Sequence, residues 1–279
     1  MPPGILWVSS RIINPDKLSA SKFCEWYEDM HIQQVLSASG LRSAIQWTAV
    51  SAQPSGDALS AAAPWLTVYE MDEIEMQESG AFKAAALDLD GPSRPRAELV
   101  EGIFKHARFD TRVYALVSEF VGPRADLEKK RKKRKPDDEE EEEEKEEKPA
   151  LTKEKATFLI SGALEPPPDA VDDLDAWYRD EHLHVMARVP GYLRTRRFQL
   201  VSGTSLVGLE RSTPEMPRFL SLHEFAGEGA LPWKELLESV ETEWAKKVLG
   251  GLLRSEMGYY ECKRRYEEEE EEEWGTVGK

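Results

Sequence analysis

The segment WYEDMH at residues 26–31 returns as WYRDEH at residues 177–182, 151 positions further along a chain of 279 residues. Four of its six residues are identical, and the same offset places Gly40 on Gly191. A second pair of segments, WLTVYEM at 65–71 and FLSLHEF at 219–225, repeats at an offset of 154. Because the matches keep their order and spacing, we interpret the chain as a tandem duplication.

The two copies predict the same order of secondary structure around this segment. Apolar, β-rich stretches predict strands, and the repeated segment falls in a helix that Ser19 caps in the first copy. Gly40 and Gly191 suit the left-handed position that ends such a helix. The predicted elements, in chain order, are a strand (5–12 and 157–164), a helix (19–39 and 171–189), a strand (43–51 and 194–202), a strand (65–71 and 219–225), helical segments (80–89 with 96–106, and 233–253) and a strand (112–121 and 256–265).

The order β-α-β-β-α-β predicts an α+β fold in which each copy is a ferredoxin-like repeat. Its sheet carries helices on one face only, so the other face must be covered. Two copies in a single chain can cover each other by packing sheet to sheet as a pseudo-twofold pair. We therefore expect the two repeats to pair within one chain.

Composition divides the chain into a first repeat at 1–123, a charged linker at 124–155, a second repeat at 156–266 and an acidic tail at 267–279. The linker holds a basic block, Lys129 to Lys135, and then a glutamate-rich run with almost nothing apolar. Such a segment cannot bury enough surface to fold, so we expect a disordered spacer. The alternative interpretation is that the basic block is a nuclear-import signal.

Charge and cysteine count argue against several classes of protein. The 53 acidic residues against 37 basic ones give a net charge of −16, which argues against nucleic acid as the main partner. Two cysteines, Cys24 and Cys262, are too few for a disulfide framework or a four-cysteine zinc site. The sequence shows neither a signal peptide nor an apolar run long enough to span a bilayer. We expect a cytoplasmic protein that binds no membrane.

The repeated helix directs one histidine of each copy toward the sheet. Residues four apart share a helix face, so each histidine falls in an apolar and aromatic stripe. Trp26 and Trp177 widen the two stripes. The stripes are Phe23, Tyr27, His31 and Val35 in the first copy, and Leu174, Tyr178, His182 and Met186 in the second.

A histidine on such a face has two interpretations, and both stay open at this point. It is either a core residue whose nitrogens are paired, or a general acid or base whose ordinary pKa of about 6.5 suits proton transfer. Tyr69 and His223 hold matching positions on the third strand, where they either face the helix histidine or pack in the sheet. Arg194, Arg196 and Arg197 on the second strand of copy two could receive an anionic group or lie on the surface.

Motifs for other kinds of site are missing from the sequence. His182 and His184 lie two apart, which on a helix points them in different directions, so we predict no metal site. No phosphate-binding loop, dinucleotide fingerprint or nucleophile elbow occurs, and we expect no cofactor. Haem held by one histidine is an alternative, because axial ligation needs only one imidazole.

The helix pattern resembles the signature of EthD-like proteins, which belong to the dimeric α+β barrel superfamily. The matching residues are FxxWYxxxHxxxV at 23–35 with GLR at 40–42, and WYxxxH at 177–182 with VPGYL at 189–193. The resemblance implies an α+β barrel with a pocket between sheet and helices. Its members include cofactor-independent oxygenases, cyclases, decarboxylases and isomerases, and a histidine and a tyrosine carry proton transfer in several. By position, this implies His31, His182, Tyr27 and Tyr178 as site residues.

These observations predict an EthD-like enzyme, either a cofactor-independent oxidoreductase or a cyclase or decarboxylase. It would perform acid–base chemistry on an aromatic or polyketide-like small molecule. His182 would act as the base, Tyr178 and His223 would orient substrate oxygens, and His31 would serve a second pocket. The predicted substrate-binding residues are Tyr27, Trp26, Trp177, Tyr69 and Arg196. The alternative is a non-catalytic ligand-binding or protein-interaction module that uses its charged linker and tail for docking.

Overall fold

The computed structural model describes residues 2–80, 82, 96–122 and 155–267. The predicted linker, the basic block, nearly all of the acidic tail and most of the predicted helix at 80–89 lie outside these residues. The strands within them are β1 (Gly4–Ile12), β2 (Ser43–Ala49), β3 (Trp65–Met71), β4 (Ala107–Val121), β5 (Phe158–Glu165), β6 (Tyr192–Val207), β7 (Glu210–Ser212), β8 (Phe219–Phe225) and β9 (Arg254–Glu267).

The helices lie between these strands. The α-helices of the described residues are α1 (Ala20–Trp26), α2 (Ile32–Ser39), α3 (Leu59–Ala62), α4 (Ala97–Gly102), α5 (Val171–Trp177), α6 (Leu183–Met186), α7 (Trp233–Glu238) and α8 (Glu243–Gly250). A π-helical turn joins α1 to α2 (Tyr27–His31), and another joins α5 to α6 (Tyr178–His182). Short 3₁₀ segments occur at Ile74–Glu78, Phe104–His106 and Pro168–Ala170.

Eight strands form a closed antiparallel barrel in the order β4-β1-β3-β2-β9-β5-β8-β6, with β6 returning to β4. Strand β7 pairs only with β6, as a hairpin beside the barrel. The α+β class is therefore confirmed. The two halves do more than face each other sheet to sheet, because they are hydrogen-bonded at both edges through β2–β9 and β4–β6. Closure leaves the eight strands without an unpaired edge.

Alternation along the strands separates an interior core from two outer ones. In β1, Ile5 and Trp7 join a cluster that spans both halves, while Leu6 and Val8 pack with the helices of the first half. Neighbouring residues of a strand point to opposite faces, which explains this division. The indole Nε1 of Trp7 donates to Ser161 Oγ of the other half at 3.2 Å. The interior is therefore a single core that both halves share.

The predicted ends of the first helix are correct in the first half, whereas in the second half the helix ends at Met186, before its predicted end at residue 189. The Ser19 hydroxyl accepts a hydrogen bond from the Lys22 backbone amide at 3.3 Å, as an N-cap does. Gly40 and Gly191 have φ values of 72° and 79°, in the left-handed region. The predicted helix at 233–253 is instead two helices, because Thr242 starts a new one by accepting from the Ala245 amide. Among the described residues, no helix combines the length and apolar character needed to cross a bilayer.

Candidate functional site

A π-helical turn lies at the same place in the repeated helix of both halves. The Ile32 amide donates to the Tyr27 carbonyl, and the Leu183 amide donates to the Tyr178 carbonyl, each five residues back. Such turns are rare in proteins, and those that occur are often found at functional sites. They lie between the tryptophan and the histidine of each repeated segment. The repeat therefore preserves a local departure from α-helical geometry.

The wide turn stacks each histidine on the tryptophan five residues before it. The ring centroids of Trp26 and His31 are 4.7 Å apart, and those of Trp177 and His182 are 4.3 Å apart, with nearly parallel planes. An α-helix would turn residues five apart away from each other, because five steps of 100° amount to well over one turn. The sequence predicted that each histidine shares a helix face with residues four positions away. Its closest ring contact is instead with the tryptophan five positions before it.

A cavity of about 270 Å³ lies beside the helix in the second half, and we call it the second cavity. The helix side contributes Trp177, Tyr178 and His182, and β8 contributes His223. Most other lining residues are apolar, including Met257 of β9. Four site residues predicted from the sequence thus line one cavity.

His182 is buried and incompletely paired. Its side chain is 5% exposed, and its Nδ1 has no hydrogen-bond partner. Burial lowers the pKa of His182 well below its usual value, and the nearby His223 and Arg197 lower it further. A buried polar atom in a native protein nearly always has a partner. His182 is therefore a neutral imidazole in the wall of the cavity, with one buried nitrogen left without a partner.

His223 of strand β8 lines the same cavity, and one of its ring nitrogens is hydrogen-bonded within the protein. Its Nδ1 lies 2.7 Å from the Thr195 hydroxyl, on the neighbouring strand β6. Burial lowers the pKa of His223 to about 3, with a smaller contribution from Arg197. The rings of His182 and His223 meet edge to face at 5.5 Å. The second cavity therefore holds two neutral imidazoles side by side.

Arg197 supplies the positive charge nearest these residues. Its guanidinium carbon lies 4.1 Å from the centre of the Tyr178 ring, and its Nη2 contacts Asp175 Oδ1 at 2.5 Å. Burial raises the pKa of Tyr178, so the phenol stays protonated. Tyr178 also stacks at 6.5 Å on His223. Arg197 was one of three open candidates in the sequence.

Arg196, the arginine predicted to bind substrate, lies on the opposite face of β6 and does not line the second cavity. Its guanidinium pairs with Glu70 at 2.9 Å and with Glu224 at 3.0 Å. It also lies over Phe198, a residue of the shared interior core. Adjacent residues of a strand point to opposite faces, so only one of Arg196 and Arg197 could reach the helix side. Arg196 instead joins the two halves.

A separate cavity of about 210 Å³, the first cavity, lies at the matching place in the first half. Tyr27, His31 and Tyr69 line it, while Trp26 stacks on His31 without lining it. Burial lowers the pKa of His31 to about 4, and the Tyr27 hydroxyl has no hydrogen-bond partner. Tyr69 stands where the second cavity has His223, so the two cavities differ in one central group.

Each cavity is lined partly by residues from the other half of the chain. Ser202 and Thr204, on the part of β6 that pairs with β4, line the first cavity. Pro54, from the loop after β2, lines the second. Ser60 fixes this loop by accepting a hydrogen bond from the Tyr259 amide at 2.9 Å. Sequence reasoning missed these residues, because nothing in a loop or strand pattern shows which distant helix it will meet.

The described residues contain no group of three or more histidine, cysteine or acidic side chains that could hold a metal ion. Their ionisable side chains near the cavities are instead imidazoles, phenols and guanidinium groups. Such groups bind organic ligands through hydrogen bonds and can exchange protons with them.

Comparison with solved structures shows the same kind of barrel. An anthrone oxidase-like protein matches with a TM-score of 0.54 and 12% identity, covering 95% of this chain and 93% of that one. A mutant chlorite dismutase from Candidatus Nitrospira defluvii gives 0.49 and 8% identity, covering 94% and 91%. A monooxygenase-like protein from Listeria innocua gives 0.41 and 8% identity, covering 94% and 95%.

No family model matches the chain, and no curated protein matches its sequence. At 12% identity, the first of the three likenesses shows the fold and leaves the chemistry to be argued from the site.

Proposed function

We propose that the second cavity is the active site of a cofactor-independent oxidoreductase that acts on an aromatic, polyketide-like small molecule. The observation that carries this proposal is that two buried imidazoles, His182 and His223, line one cavity and are kept neutral by their lowered pKa values. We also propose that the chain is a duplicated EthD-like protein, and the repeated segment with its π-helical turn in both halves supports this.

The volume of the second cavity limits the size of the ligand. An engineered apolar cavity of about 150 Å³ holds one benzene. At about 270 Å³, the second cavity suits a molecule of two or three fused rings, which agrees with its mostly apolar lining. Trp177 and Tyr178 offer ring faces and edges for such a ligand.

The polar groups of the cavity suit removal of a proton from carbon next to a carbonyl. His182 takes the proton, and Tyr178 and His223 hydrogen-bond the substrate oxygens. The charge of Arg197, which contacts Tyr178 without lining the cavity, favours the enolate that forms. An electron-rich enolate of this kind is oxidised directly by molecular oxygen. For anthrone, the ring CH₂ becomes a carbonyl that takes one oxygen atom, and the other oxygen atom leaves with the two hydrogens as water.

Anthrone is the probe that tests the proposal. The purified protein is mixed with anthrone in air-saturated buffer, while oxygen uptake and anthraquinone formation are followed together. We expect His182→Ala to abolish turnover and to leave the melting temperature nearly unchanged. His184→Ala is the matched control, because His184 is exposed and lies outside the cavity. If anthrone neither binds nor turns over, or if both variants behave alike, the proposal fails.

Ligand binding without turnover is a second candidate function, and the first cavity favours it. It has an imidazole at His31 but a tyrosine, Tyr69, in place of His223. Quenching of tryptophan fluorescence by anthrone in the His182→Ala variant would report such binding. Saturable quenching that Tyr27→Phe weakens would locate the ligand in the first cavity.

A further inference from the structure

We infer that Thr195 and Tyr192 hold His223 with its proton on Nδ1 and form the path by which a ligand's hydroxyl proton leaves the second cavity. This inference rests on the proposed function, since it assumes that the second cavity receives the substrate. It adds two positioning residues that the sequence did not single out, and it assigns the chemical form of His223.

The three side chains form a continuous hydrogen-bonded chain. His223 Nδ1 and the Thr195 hydroxyl are 2.7 Å apart, and the Thr195 and Tyr192 hydroxyls are also 2.7 Å apart. Beyond them, the Tyr192 hydroxyl donates to the Phe120 carbonyl oxygen at 3.4 Å. Both short distances fall in the range of good hydrogen bonds.

We infer the direction of the hydrogen bonds in the chain from the contact at its end, between the Tyr192 hydroxyl and the Phe120 carbonyl at 3.4 Å. A backbone carbonyl can only accept a hydrogen bond, so the Tyr192 hydroxyl donates its one proton to the Phe120 carbonyl oxygen. The Thr195 hydroxyl must then donate to the Tyr192 oxygen, which leaves the Thr195 oxygen to accept from His223. Nδ1 is therefore the protonated nitrogen of the neutral ring. Its Nε2 carries the lone pair and is the nitrogen that can meet a ligand.

An acceptor at this position selects a ligand with an acidic hydroxyl, such as a phenol or an enol. When proton transfer occurs, the ligand O–H bond breaks as the Nε2–H bond forms. The Nδ1 proton passes to the Thr195 oxygen and the Thr195 proton passes to the Tyr192 oxygen. The Tyr192 proton leaves its hydrogen bond to the Phe120 carbonyl and passes to solvent water, since Tyr192 is only partly buried. The ligand becomes an oxyanion and each protein group ends neutral.

Such a path lets the buried His223 take up a proton from a ligand without keeping a positive charge. His223 is 4% exposed, and burial lowers its pKa, so a positive charge on the ring is costly. Thr195 is completely buried, whereas Tyr192 is only partly buried at the start of β6. The chain thus leads from the cavity toward the rim of the barrel.

The first half lacks the same chain at equivalent positions. Ala44 pairs with Tyr69 across the sheet as Thr195 pairs with His223. At the offset of the repeated segment, Leu41 takes the place of Tyr192. An alanine and a leucine can pass no proton. The path therefore belongs to the second cavity, which makes the two cavities chemically unequal.

Nitrogen-15 NMR of histidine-labelled protein at pH 7.5 tests the inference without any ligand. The two ring nitrogens of a neutral imidazole give distinct shifts, and His223→Gln identifies the signal. We expect wild-type His223 to carry its proton on Nδ1. We expect Thr195→Val and Tyr192→Phe to move the ring toward the other tautomer, since each removes a hydroxyl from the chain. Thr67→Val makes the same chemical change in the first half and should leave His223 unchanged.

A wild-type His223 protonated on Nε2, or one that neither variant moves, would overturn the inference. Anthrone turnover is a separate arm of the experiment. There we expect Thr195→Val to lower kcat at least about tenfold with little change in KM, because an acid–base partner commonly contributes more than that. Loss of the NMR effect refutes the path, whereas absence of turnover in wild type refutes only the proposed function.

Discussion

Replacing His182 with phenylalanine should stabilise the protein while destroying the proposed site. Phenylalanine keeps a flat ring against Trp177, so the stacking at 4.3 Å is retained. It also removes the buried Nδ1 that has no partner. An unsatisfied buried polar group costs about 1–3 kcal/mol, and the adjoining cavity gives the larger ring room. We expect the free energy of unfolding to rise by about 1–2 kcal/mol.

Thermal and urea denaturation at pH 7.5 measure this change. At about 2–4 °C per kcal/mol for a chain of this size, the melting temperature should rise by about 2–8 °C. His223→Phe is the matched comparison, because His223 Nδ1 does have a partner in Thr195. That variant should lose about 1–2 kcal/mol, since a buried hydrogen bond is removed.

The opposite order of stabilities would refute the reasoning. If His182→Phe lowered the melting temperature as much as His223→Phe, the His182 nitrogens would be paired within the fold. His182 would then be an ordinary core residue, and the cavity would lose its main argument for a ligand. The effect expected here follows a general pattern in which functional groups are held at a cost in stability.

Two further predictions concern pH and the helix ends. Burial lowers the pKa of His31 to about 4 and of His223 to about 3, and it also lowers that of His182. The unfolded chain therefore binds more protons below about pH 6.5, and the free energy of unfolding should fall by up to about 1.4 kcal/mol per pH unit for each histidine as pH drops. Urea titrations at pH 7.5, 6 and 5 would show this, and a flat profile would contradict it. Gly191→Ala should destabilise more than Gly40→Ala in thermal melts, because both have positive φ but only at Gly191 would the new methyl group meet a backbone carbonyl.

The sequence by itself determined the order of the main strands and of the repeated helix in each half. The strands at 65–71 and 219–225 have their predicted bounds, and Ser19 and Gly40 end their helix as expected. These features depend on side-chain periodicity and on bonds between residues a few positions apart. A linear pattern contains that information, so the α+β class followed from it.

The chemistry of the site depended on tertiary structure. A π-helical turn decides that His182 stacks on Trp177, and a register shift near the start of β6 accompanies the placing of Thr195 beside His223. A shift of one residue exchanges the two faces of a strand, which is why Arg197 rather than Arg196 lies on the helix side, against Tyr178. Such choices are made by distant segments when the barrel closes. Residues that are neighbours only in the folded chain leave no periodic trace in its sequence.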